Sequence, residues 1–154
     1  MIDSSPVDWV LVADRMRASL YRVSPKDAQP WTALASFVHV DSQALGVNHN
    51  GGPPGRVIHP GGARSAVEPH EDRAHVEARR FAVNLIEYLD RERHLGKFQR
   101  LTVVAPPMFL GVLRDASPSP LRIITALEVN QDLVSLPETD LRLRLGEILS
   151  ALPS

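Results

Sequence analysis

Residues 101–114 read LTVVAPPMFLGVLR, and few arrangements satisfy that order. The run L-T-V-V-A has no polar alternation beyond one threonine, which describes a buried strand rather than one with a wet face. Pro106 and Pro107 end it, because neither carries an N–H for a sheet ladder. Proline is tolerated in the first turn of a helix, and Phe109, Leu110, Val112 and Leu113 then recur at helical spacing. A buried strand that turns straight into a helix belongs to an α/β protein. Backbone N–H groups exposed at such a switch are where these folds place many of their binding sites.

The rest of the chain fits that frame. Residues 9–13, WVLVA, form a second continuous apolar run, and residues 18–23 resume after Asp14-Arg15 with alternation, as in an antiparallel hairpin. Residues 25–30 supply a polar turn, and residues 31–40 read as a third strand. Between residues 41 and 68 lies a loop rich in glycine and proline, with Gly51-Gly52-Pro53-Pro54-Gly55 and Gly61-Gly62. A loop of that length inside a compact domain is functional or unstructured. From Pro69 onward Ala74, Ala78, Phe81, Ala82, Leu85 and Leu89 follow three- and four-residue steps. They predict a helix of about six turns that stops at Gly96. Ser117-Pro118-Ser119-Pro120 blocks continuation of the short helix that follows Pro107; residues 121–128 then read as a last strand and residues 137–149 as a last helix. The expected order is β-β-β-α-β-α-β-α. This is a single domain over residues 1–154, an α/β fold with a mixed five-stranded sheet and helices packed on it.

Composition narrows the function. With 17 basic and 18 acidic residues the formal charge is -1, so no overall field draws in nucleic acid or an anionic membrane. The absence of cysteine removes thiolate catalysis, thiolate metal sites and disulfides. The apolar run near the start is too short for a signal peptide or a span, so no membrane insertion is expected and cytoplasmic residence is.

The motifs Trp9-Val-Leu-Val-Ala-Asp14-Arg15, Glu68-Pro69, Arg80-Phe81-Ala82, the block Ala105-Pro106-Pro107…Phe109-Leu110-Gly111…Leu113-Arg114, and Glu128-Val-Asn-Gln-Asp132 resemble the bacterial host-attachment protein family. The resemblance runs from Trp9 to about Leu145 and is most specific in the Ala-Pro-Pro block. It implies a protein named for a requirement in attachment to host cells, with no established enzyme activity. It also implies kinship with the central domain of archaeal and eukaryotic translation termination factors, and hence a ribonuclease H-like order of elements. Fold kinship alone transfers no function.

Candidate chemistry is sparse. A termination factor acts through Gly-Gly-Gln, whereas the loop here has Gly51-Gly52-Pro53 and Gly61-Gly62-Ala63, without the glutamine. Nuclease chemistry of the ribonuclease H kind needs clustered carboxylates. Asp14 lies at a strand end, but the fourth strand ends in Ala105-Pro106-Pro107, and Asp115 and Glu128 hold no obvious partner positions. Asp14 therefore reads as a turn residue. His70 and His75 fall about 140° apart on a helix, and His49 and His59 lie in the loop, so no metal set is demanded. The expectation is no metal and no cofactor. Trp9 and Trp31 read as core or sheet-edge residues, and 5% aromatics gives little material for stacking on bases.

Arginines carry the remaining signal. Arg15, Arg56, Arg64 and Arg114 are the candidate anion- or RNA-binding residues, facing a crevice made by Asp14, Pro106 and Pro107. The leading expectation is a non-catalytic cytoplasmic binding module, associated with the ribosome or structured RNA through the arginine-bearing loop. One alternative is a protein-interaction domain or homo-oligomer that joins through a sheet edge or the long helix. The other is a phosphoester or small-molecule hydrolase that uses Asp14 and a loop histidine at the Pro106-Pro107 crevice.

Overall fold

The computed structural model describes residues 6–24, 31–40 and 70–151. Strands β1 (Asp8–Ala13), β2 (Arg17–Val23) and β3 (Trp31–Val38) come first, followed by helix α1 (His70–His94). Then come β4 (Arg100–Ala105), α2 (Pro107–Ala116), α3 (Ser119–Ile124), β5 (Thr125–Asn130) and α4 (Glu138–Leu149). The five strands form one mixed sheet in the order β3-β2-β1-β4-β5. β1 runs antiparallel to β2 and parallel to β4, with Trp9 beside Leu101 and Val12 beside Val104.

The two continuous apolar runs occupy the sheet centre, where both faces are covered. Trp9, Leu11, Leu101 and Val103 point to one side and pack against Phe81, Leu85 and Leu89 of α1 and Leu113 of α2. Val10, Val12 and Val104 point to the other, where Leu141 and Leu145 of α4 and Leu133 meet them. A strand with a period of two shows alternate side chains to alternate layers, so a strand covered on both sides is apolar nearly throughout, with buried Thr102 the exception in β4. At the start of the central pair, Arg100 donates from Nε to Asp8 Oδ1 at 2.6 Å and from Nη2 to Oδ2 at 2.9 Å. That fork, opposed only by partial burial, holds the guanidinium above its ordinary pKa.

α1 ends where the sequence places its end. Gly96 takes φ 77°, and its N–H closes on Arg93 O at 2.9 Å. A left-handed residue at that position is inexpensive only for glycine.

One element differs from expectation. Residues 121–124 are helical, the end of α3, and β5 starts at Thr125. The order is therefore β-β-β-α-β-α-α-β-α. Pro118 and Pro120 do end α2, as expected, but they also suit the start of a new helix, because a first-turn residue has no intrahelical N–H bond to lose. Of the apolar residues in α3, Leu121 is buried while Ile123 is 80% exposed, a one-sided helical pattern and not a strand.

Candidate functional site

The carboxyl ends of β1 and β4 lie side by side, and each is followed by a turn that shapes the same crevice. After β1 the chain reverses through Asp14-Arg15-Met16. Asp14 Oδ1 accepts the backbone N–H groups of Met16 and Arg17, both at 2.8 Å, and Asp14 N–H donates to Arg17 O at 2.8 Å. This side-chain turn closes the hairpin. It occupies Asp14 with structure, in keeping with a turn residue, and it projects Arg15 outward. Arg15 is exposed and makes no ion pair or hydrogen bond with another described residue.

After β4, Pro106 caps α2 with an extended backbone, φ -61° and ψ 156°, and accepts the N–H of Leu110 at 2.8 Å. The opening turn of α2 brings Pro106, Met108 and Phe109 to the crevice, and Val112 continues the wall one turn later. The opposite wall is the start of α1, with Ala74, His75 and Ala78. Arg15 completes the lining of a cavity of about 710 Å³. Its walls are short or apolar side chains, with Phe109 buried at the base and Met108 79% exposed at the lip. Among the described residues, Arg15 and His75 are its polar members.

Of the residues singled out in the sequence, Arg15 and Pro106 line this cavity, and Asp14 and Pro107 adjoin those two in the chain. Arg114 does not join them. It sits in the last turn of α2 and donates from Nε to Glu128 Oε1 at 2.9 Å, with Nη2 on the same oxygen. That hydrogen bond, reinforced by the opposite charge, raises the Arg114 pKa. Glu128, considered above as a metal-site acid, is the partner. Arg56, Arg64, His49, His59 and the glycine-rich stretch 41–68 lie outside the described residues, as does the turn 25–30. Among the described residues no group of three or more His, Asp or Glu is placed to hold a metal ion.

The structure adds a pair that spacing did not reveal. His39, just past β3, donates from Nε2 to Glu77 Oε1 of α1 at 2.8 Å, with side chains 8% and 18% exposed. Its ring lies tilted against Phe81, 5.4 Å between centroids. In the sequence, Glu77 reads as part of a solvated charged face of α1; here it ties the end of β3 to the wall of the crevice. Glu77→Ala leaves His39 without that partner, and we expect a loss of about 1–3 kcal/mol in unfolding free energy, measured by urea denaturation.

The profile of a protein family described as "Protein required for attachment to host cells" matches residues 9–145. The chain belongs to the host-attachment family. No curated protein sequence matches it. Among solved structures, the host-attachment chain is similar to an archaeal translation termination factor, aRF1, with a TM-score of 0.49 and 10% identity over 94% of this chain and 39% of that one. A second similarity is to the type II variant of the Aquifex aeolicus Ppx/GppA phosphatase, with a TM-score of 0.38 and 11% identity over 81% of this chain and 35% of that one. The chain therefore spans about two-fifths or less of the length of either structure. No helix among its described residues is long and apolar enough to cross a membrane.

Proposed function

We propose that this host-attachment chain is a single-domain, non-catalytic binding module of the cytoplasm, and that the crevice between the β1–β2 turn, α1 and α2 is its binding site. The observation that carries the reading is the described lining itself: among the described residues it has six apolar side chains, one arginine and one histidine, with no acid and no hydroxyl. Acid–base or nucleophilic work needs a second group within hydrogen-bond reach of the first. The neighbouring carboxylate, Asp14, spends Oδ1 on two backbone N–H groups. That disfavours the hydrolase alternative.

The ribosome- or RNA-associated form of this function rests on Arg15 with Arg56 and Arg64. Several other arginines are committed to acids, including Arg93 to Asp90, Arg100 to Asp8 and Arg114 to Glu128, which leaves no continuous phosphate track through those positions. Co-sedimentation with ribosomes from the native cells, at low and moderate salt, tests this form. Salt-sensitive co-migration lost in Arg15→Ala and in the Arg56→Ala/Arg64→Ala double variant supports it; protein left at the top of the gradient under both conditions removes it. The binding-module reading as a whole fails if a phosphoester or ester is turned over at a rate abolished by Asp14→Asn.

A further inference from the structure

We infer that the crevice takes a small amphipathic anion: an aliphatic body ending in one carboxylate or phosphate group. The inference rests on the reading of the crevice as the binding site and adds the chemical class of its ligand.

Three features converge on that class. The room is apolar and of small-molecule size, about 710 Å³ against roughly 300–1,000 Å³ for small-ligand sites. It exists because Ala74 and Ala78, one turn apart on α1, face the bulkier Phe109 and Val112 of α2. Longer side chains at the two alanines would close it. The second feature is charge. Arg15 lines the cavity with a guanidinium that no described acid neutralises, and His75 supplies the other polar contact. A planar fork of donors suits a carboxylate or phosphate, and the described residues of the lining offer no carboxylate to a cation. The third is the lip, where Met108 is 79% exposed. An unbranched thioether side chain adapts to aliphatic shapes of varied length.

The same lining argues against a nucleotide or an RNA strand. Base recognition needs an aromatic face open for stacking or polar groups matched to base edges. Phe109 is only 3% exposed and already lies against Phe81. The one arginine and one histidine among the described lining residues answer one terminal charge, not a polyanion.

The test is calorimetric titration of the whole chain with decanoate, decyl phosphate, decanol and decyltrimethylammonium, each kept below its micelle concentration. Wild type is compared with Arg15→Gln and with Ala74→Trp, which fills the cavity from a half-buried helix position. We expect at least one of the two anions to bind tenfold or more tighter than decanol, and the trimethylammonium to bind weaker than decanol. In Arg15→Gln the anion preference vanishes while decanol binding persists; in Ala74→Trp every alkyl probe loses affinity tenfold or more. The tighter of decanoate and decyl phosphate identifies the head group. Equal affinity for anion and alcohol in wild type overturns the proposal, and so does a preference that survives Arg15→Gln. Undiminished binding to Ala74→Trp, with its folding checked by circular dichroism, places the probes elsewhere and overturns it too. No binding by any probe removes this ligand class, while the binding-module reading is judged separately by turnover and co-sedimentation.

Discussion

Phe98→Ala lowers the unfolding free energy by about 3–5 kcal/mol, the range for emptying a buried aromatic site. Phe98 lies in the short link between α1 and β4, is 2% exposed, and stacks on Trp9 with 4.4 Å between ring centroids and 20° between planes. The link has little freedom to collapse into the space. On either side of it, Gly96 N–H is bound to Arg93 O, and the N–H groups of Gln99 and Arg100 both go to Val7 O, at 3.0 and 3.1 Å. Trp9 cannot compensate by a polar contact, because its indole Nε1 is buried and bonds to no described group. Its stability comes from stacking and area alone. Urea denaturation should show the midpoint fall with an unchanged slope. A loss below about 1 kcal/mol would mean that the Trp9–Phe98 stack is not part of the core, since that is what peripheral substitutions cost.

That link also shows which parts of the molecule are readable in the chain. β1, β4 and α1 are legible because their signal is local: unbroken apolar runs for strands covered on both sides, a three-to-four spacing for the helix, and a glycine at its end. Arg15 is legible for the same reason, as the exposed residue of a tight turn. The stretch 121–124 is not, because Leu-Arg-Ile-Ile suits either period and Pro118 and Pro120 mark a stop as readily as a start. Long-range pairs escape any reading of spacing. His39 meets Glu77 across 38 residues, and Arg114 meets Glu128 across 14 and a whole helix. Each pair joins residues that look solvated one at a time. His75 illustrates a further limit: its helix position predicts exposure, which is correct, but not that Arg15 and the start of α2 flank the same cavity.

Phe109→Ala connects stability to the crevice, with an expected cost of about 3–5 kcal/mol. For a chain of this size that is a fall of roughly 6–20 °C in melting temperature. Phe109 is 3% exposed and packs 6.0 Å from Phe81, centroid to centroid, so it is both the base of the cavity and part of the contact between α1 and α2. Truncation deepens an apolar site that already opens to solvent. An apolar ligand that enters it then stabilises the folded form by mass action, about 2.7 kcal/mol at a hundredfold excess over Kd. If the crevice binds an aliphatic anion through Arg15, decanoate should recover much of the lost melting temperature in Phe109→Ala and little of it in Phe109→Ala/Arg15→Gln. Equal recovery in both variants would show that filling the cavity is enough and that Arg15 contributes nothing to the ligand. Absence of recovery, with the full stability loss present, would confirm Phe109 as core and deny the crevice its ligand. The two roles of one side chain are thereby separated by melting curves of the two variants with and without decanoate.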